Sequence, residues 1–194
     1  MIEFEVKIAN VNIPEIRRRL EKNGAGLQSE ACVHKNITFH LPSGQEIGGG
    51  WLRARDEGDK VTMSLKIIDG NRMADQQEFR FIADSLDDAA SFLELIGARE
   101  KARQEKRREV WMLGECEVVI DEWPFLEPLM EIEGPDEKTV MGAVRLLGYG
   151  ASDCRICAVD VLYREKYGVE EDVVDNHTPL LIFDMENPFL GRGV

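Results

Sequence analysis

Aromatic side chains are scarce in this chain, at 7% of 194 residues. No apolar run approaches the roughly 20 residues that a membrane helix needs, which excludes that class of protein. The start, Met1-Ile2-Glu3, has neither a basic stretch nor an apolar one. Nothing there directs export, and the cytoplasm is the expected compartment. Positive charge is also short. Lys and Arg number 24 against 37 Asp and Glu, a net charge of −13, so the bulk surface is unsuited to nucleic acid or an anionic membrane. The four cysteines do not make a disulfide framework. Cys154-Arg-Ile-Cys157 has zinc or redox spacing but lacks a second pair. His34, His40 and His177 have no helical ligand spacing. Gly48-Gly49-Gly50 is not followed by Lys and Ser or Thr, so it is not a phosphate loop. No Gly-x-Ser-x-Gly or Cys/His nucleophile arrangement is present.

What the chain does have is alternation. In Ile2-Glu3-Phe4-Glu5-Val6-Lys7-Ile8 the apolar residues share one face of a strand, and Glu3, Glu5 and Lys7 share the other at about 7 Å intervals. A helix follows, with Asn12 as N-cap, Pro14 in its first turn and Gly24 at its end. Strands are predicted near Val33 to Leu41, Trp51 to Arg55, Lys60 to Ile68 and Gln76 to Ile82. A second helix starts at the N-cap Ser85 and stops at Gly97. Further strands are predicted at Ala102 to Leu113, Glu115 to Trp123 and Leu129 to Glu133. A third helix opens after Gly134-Pro135, and a short last helix covers Val159 to Tyr167. Leu20-Glu-Lys-Asn-Gly24-Ala25 and Leu93-Glu-Leu-Ile-Gly97-Ala98 form a faint internal repeat, each a helix end leading into a strand. Residues 1–168 read as one domain, and 169–194 as an irregular tail packing back onto it.

The polar faces of these strands carry Glu3, Glu5 and Lys7; Arg53 and Arg55; Lys66; Glu78 and Arg80; Lys106 and Arg108; Asp121; Glu131 and Glu133. That is seven basic and six acidic residues, against 17 basic and 31 acidic in the rest of the chain. The positive charge of an acidic protein is thus concentrated on its strand faces. Curling the sheet shut gathers these groups in one lumen and removes exposed edges. Clustered Lys and Arg suit a polyphosphate. Carboxylates at strand spacing suit a hard divalent cation such as Mg²⁺ or Mn²⁺. A solvated sheet face is the competing explanation of the same pattern.

Glu3-x-Glu5-x-Lys7 resembles the signature of the CYTH family, the triphosphate tunnel metalloenzymes, which includes class IV adenylyl cyclases, thiamine triphosphatases and inorganic triphosphatases. Later stretches also resemble the family: Leu52-Arg53-Ala54-Arg55, Lys66, Glu78, Glu105-Lys106-Arg107-Arg108-Glu109-Val110-Trp111, Val119-Ile120-Asp121-Glu122 and Met130-Glu131-Ile132-Glu133-Gly134. Trp123-Pro124-Phe125-Leu126-Glu127-Pro128 departs from the glycine-containing turn often found there.

The resemblance implies an α+β fold: a closed eight-stranded antiparallel β-barrel, open as a tunnel at both ends, with helices outside. It implies Glu3, Glu5, Asp121, Glu131 and Glu133 as metal ligands for Mg²⁺ or Mn²⁺. Lys7, Arg53, Arg55, Lys66, Lys106 and Arg108 would grip a triphosphate-containing small molecule, and strand parity adds Arg80. Catalytic roles fall to Glu78, Lys106 and Arg108. Metal-dependent hydrolysis of a triphosphate is the favoured reaction, with tripolyphosphate, thiamine triphosphate or a nucleoside triphosphate as substrate. Cyclisation of ATP to cyclic AMP and pyrophosphate needs the same grip, and a non-catalytic binder is the third alternative. No nucleic-acid or membrane partner is expected. The oligomeric state is left open, a homodimer included.

Overall fold

The computed structural model describes residues 2–191; Met1 and the last three positions of the expected tail, 192–194, lie outside the described residues. The order of elements is β1 (Phe4–Ile8), α1 (Ile13–Lys22), β2 (Gly26–His40), β3 (Gly50–Asp56), β4 (Val61–Ile68), β5 (Gln76–Ala83), α2 (Leu86–Leu95), β6 (Arg99–Leu113), β7 (Cys116–Glu122), β8 (Leu129–Gly134), α3 (Glu137–Leu146), α4 (Val159–Tyr167), α5 (Glu171–Asn176) and β9 (Leu180–Leu181). The helix starts expected at Asn12 and Ser85 are where side-chain capping occurs. Asn12 accepts from the Glu15 N–H at 3.0 Å and Ser85 from the Asp88 N–H at 3.0 Å, satisfying orphan donors of each first turn.

Eight strands form one antiparallel, curled sheet in the order β1-β8-β7-β6-β2-β3-β4-β5. Its spine is β2 against β6, the strands that follow α1 and α2, so the faint repeat corresponds to two helix-then-strand units laid side by side. The expectation of a closed barrel holds only in coarser form. The outer strands β1 and β5 meet at one bridge, Ile2 with Gln77, where the Glu3 N–H donates to the Gln76 carbonyl at 3.0 Å. Beyond it the Gln76 side chain donates to the Glu5 carbonyl at 2.9 Å. Arg155 then takes over, exchanging backbone hydrogen bonds with Lys7 at 2.9 and 2.8 Å. The exposed edge of β1 is thus covered by three separate partners instead of one continuous ladder.

The apolar strand faces point outward under the helices. Val6, Ile8, Val118, Ile120, Met130 and Ile132 pack beneath Ile16 and Leu20 of α1 and Val140 and Val144 of α3. Ile37, Phe39, Leu52 and Ala54 pack beneath Ala89 and Leu93 of α2. The charged faces therefore point inward, which rules out the solvated sheet face. At the turn before β3, Gly49 has φ +66°, and a Cβ there would lie 1.9 Å from the Ile68 carbonyl oxygen, so only glycine fits.

Two corrections concern segments with weak sequence patterns. The strand expected from Val33 begins at Gly26, because the exposed, non-alternating residues 26–32 pair through register shifts with the C-terminal half of β6. The tail, expected to be irregular, contains α5 and β9. Leu180 and Leu181 pair in parallel with Arg103 and Gln104, on the edge of β6 that β7 leaves uncovered.

Candidate active site

The inward faces enclose a cavity of about 710 Å³. Strand alternation brings twelve of the sequence-selected residues to its lining: Glu3, Glu5, Lys7, Arg53, Arg55, Lys66, Glu78, Arg80, Lys106, Arg108, Glu131 and Glu133. Asp121 is fully buried behind Lys106 and Arg108.

The five acidic residues expected as ligands separate into two groups. Glu3, Glu5 and Glu133 bring one oxygen each to within 4.8 Å of one another. β1 supplies the first two, and the pairing of Glu5 with Glu133 across β1 and β8 supplies the third. Burial, with Glu3, Glu5 and Glu117 nearby, pushes the Glu133 carboxyl up to about 7. Glu3 is likewise raised by burial, with Glu5 and Glu78 adding to it. Asp121 and Glu131 are instead held among cations. Arg108 donates to Asp121 Oδ1 at 2.7 Å and also pairs with Glu131. Lys106 Nζ lies 2.9 Å from Asp121, and Lys7 Nζ 3.2 Å from Glu131. Burial works against the charged form of Asp121 and Glu131, but these cations override it and hold both below the usual carboxylate range.

The remaining cations differ in how they are satisfied. Lys66 Nζ sits 2.8 Å from Glu3 and 3.3 Å from Glu5, and Lys7 pairs with Glu5. Arg53 donates to Glu78 at 2.7 Å, with Arg80 at 3.8 Å from the same carboxylate. Burial opposes the Glu78 charge, yet Arg53 and Lys66 hold that carboxyl low. The Arg53 Nε is buried with no hydrogen-bond partner among the described residues. Arg55 is 7% exposed, and its Nε donates to the neutral Asn36 Oδ1 at 2.7 Å. Burial, reinforced by Arg53 and Arg108, lowers the Arg55 guanidinium to about 9. The same causes, burial and then Arg108 with Arg55, depress the Lys106 ammonium.

Sequence reasoning missed several groups in this region. Asn36 and Thr38 line the cavity from β2, where no charge marked them. His34, on the same strand face, is buried with Nδ1 unpartnered among the described residues. Burial and the nearby Lys106, Arg55 and Arg108 lower it to about 3, which keeps the imidazole neutral. Trp123 lines the cavity with Lys106 Nζ 5.7 Å from its ring centroid, whereas Trp111 is in the outer core with its indole N–H on Glu109. The departing segment 123–128 is held from α4 and its C-terminus: Tyr163 donates to the Pro124 carbonyl and Tyr167 to the Phe125 carbonyl, both at 2.6 Å.

A curled antiparallel sheet with cations and carboxylates facing inward places the chain among known proteins, and the CYTH domain model matches residues 1–157. The chain belongs to the CYTH family. No curated protein matches it. Among solved structures, the PH1012 protein of Pyrococcus horikoshii OT3 is 23% identical with a TM-score of 0.67, the match covering 82% of this chain and 98% of that one. A Vibrio parahaemolyticus protein provisionally described as an adenylate cyclase is 15% identical, with a TM-score of 0.71 and coverage of 84% and 98%. A Hippeastrum protein, provisionally an adenylyl cyclase and described as having dominant triphosphatase activity, is 14% identical, with a TM-score of 0.55 and coverage of 84% and 96%. At these identities the likeness is one of fold. No helix among the described residues of this CYTH protein is long and apolar enough to cross a membrane.

Proposed function

We propose that this CYTH protein is a metal-dependent triphosphatase that hydrolyses a triphosphate inside its curled sheet, which acts as a closed tunnel. One observation carries the reading. Arg55 is a buried guanidinium whose hydrogen-bond partner is neutral, beside the depressed Lys106 and an unpartnered Arg53 Nε, in a cavity that also holds three mutually repelling carboxylates. Buried charges of both signs left short of partners call for a ligand that brings both signs, as a metal–triphosphate does.

The donor set fits a hard divalent cation, Mg²⁺ or Mn²⁺, because Glu3, Glu5 and Glu133 converge with oxygen only and their repulsion is what such an ion relieves. When bound, the cation supplies charge neutralisation at the phosphoryl oxygens and a polarised water. Arg53, Arg55, Lys66, Lys106 and Arg80 bind phosphate oxygens as fixed donors, with the guanidinium forks suited to paired contacts. Arg108 and Lys7 hold Asp121 and Glu131 ionised and in place, and Arg108 with Lys106 stabilises charge developing on the leaving phosphate. Glu78, kept ionised by Arg53 and Lys66, orients the attacking water.

The test is product analysis with Mg²⁺ or Mn²⁺ on tripolyphosphate, thiamine triphosphate and ATP. Phosphate release is the expected result. Cyclic AMP and pyrophosphate from ATP would replace hydrolysis with cyclisation, and tight binding without any product would leave a binder.

A further inference from the structure

Residues 158–181 follow the part of the chain that the family model matches, yet they build one wall of the cavity. The wall is anchored. β9 pairs with β6, the Arg103 N–H donates to the Pro179 carbonyl at 2.9 Å, and Asp175 pairs with Lys101. Behind it Tyr163, Val169, Val174, Leu181 and Phe189 form a buried cluster with Trp123 and Phe125.

The chemistry of this wall is unlike that of the rest of the cavity. Among its lining residues Val159, Val161, Val174 and Leu181 are apolar, Asp160, Glu171 and Asp175 are acidic, and none is basic. Burial, with Asp175 and Glu171 nearby, holds the Asp160 carboxyl above its ordinary range, so a positive or hydrogen-bond-donating neighbour is favoured there. Phosphate oxygens are acceptors only and find no donor side chain in this wall apart from the Asn176 amide. Trp51 contributes a further large apolar surface to the cavity. At about 710 Å³ the space is in the range of pockets that enclose a whole drug-sized molecule, more than the phosphate-gripping residues need for themselves.

We infer that residues 158–181 make this protein selective for an organic triphosphate ester whose non-phosphate part carries hydrogen-bond donors or positive charge, seated against Val161 and Asp160, over inorganic tripolyphosphate. The inference rests on the triphosphatase reading and adds the substrate class to it. The bulk of the ester gains contact with the apolar lining, its donors meet carboxylates, and a bare polyanion gains neither.

The experiment compares kcat/KM for ATP, thiamine triphosphate and tripolyphosphate in the full chain with Mn²⁺. Val161→Asp and the isosteric Asp160→Asn are measured alongside the wild type. At least one ester is expected to exceed tripolyphosphate by about tenfold or more, the size of discrimination that a few pocket contacts supply. Both variants are expected to lower the ester-to-tripolyphosphate ratio by about tenfold, mainly through the KM of the ester. If Val161→Asp fails to fold, Asp160→Asn decides. Equal or better use of tripolyphosphate by the wild type, or an unchanged ratio in the variants, overturns the inference and leaves the triphosphatase reading intact. Turnover of none of the three overturns both.

Discussion

Replacing Arg55 with Met should make the ligand-free protein more stable and the triphosphate affinity weaker. The guanidinium is lowered from its ordinary 12.5 to about 9 by burial and by Arg53 and Arg108, with Asn36 as its hydrogen-bond partner. At roughly 1.4 kcal/mol per pH unit, the folding penalty at neutral pH has a ceiling of about 5 kcal/mol. The sign follows from proton binding. Below pH 9 the charged form is present in both states and the penalty is complete. Above it the folded protein sheds the proton first, and the penalty fades. Methionine removes the charge and fills similar volume, but leaves the Asn36 Oδ1 without its donor at a cost of about 1–3 kcal/mol. The net expectation is a gain of about 2 kcal/mol, which for a domain of this size raises Tm by about 4–8 °C. Adding Asn36→Leu should extend the gain. Losing a charge-assisted contact should weaken tripolyphosphate binding by about 10–100-fold. Thermal melts with and without tripolyphosphate and Mn²⁺ read both effects. A lower Tm in the absence of ligand, or an undiminished ligand-induced rise in Tm, would refute the assignment of Arg55 as an anion-binding group.

Glu133→Gln should stabilise the metal-free protein by relieving repulsion among Glu3, Glu5 and Glu133, and weaken Mn²⁺ binding by about tenfold or more; metal titration by calorimetry checks it. His34 is held near 3 in the folded protein against an ordinary 6.5, so the unfolded chain takes up the proton first as pH falls and stability drops between those values. His34→Leu should therefore gain on the wild type in urea midpoint from about pH 6.5 downward, and a constant difference would contradict the burial argument. Tyr163→Phe should cost about 1 kcal/mol by leaving the buried Pro124 carbonyl without its donor, read as a shifted denaturant midpoint. Tripolyphosphate should bind at least about tenfold more weakly with EDTA than with Mn²⁺ by calorimetry, since the anion alone leaves carboxylates uncompensated.

The sheet was legible where one strand face is dry and the other charged. Val61-Thr62-Met63-Ser64-Leu65-Lys66 alternates without a break, and period two suffices to place Lys66 inside. The same parity put all the acidic ligand candidates on inward faces. It could not separate Glu133 from Glu131, because that difference is made by Arg108 and Lys7 reaching Glu131 from other strands. Residues 26–32 alternate poorly because both faces are exposed, so the start of β2 carries no signal. Asn36 and His34 are uncharged, and their importance comes from neighbours distant in sequence: Arg55 for one, Lys106 on the paired strand for the other. The tail was illegible for a related reason. Leu180-Leu181 is too short to announce a strand and forms one because β6 extends beyond β7 and leaves an edge to fill.

The pairings inside the cavity bear on what the site accepts. Lys66 is shared by Glu3 and Glu5, Lys7 by Glu5 and Glu131, and Arg108 by Asp121 and Glu131. Each group is buried, and breaking one such pair without replacing the partner costs about 3–5 kcal/mol. A lone anion drawing Lys66 away would strand Glu3 and Glu5, and a lone cation drawing those carboxylates away would strand Lys66. When both arrive together, lysine and carboxylate exchange partners and no charge is left buried alone. The arrangement therefore couples the two affinities, each ligand raising the other's by the same factor, as linkage requires. Glu3 and Glu5, two residues apart on the short strand β1, are the point where that coupling passes, because the groups that face the metal are also the counter-ions of Lys66.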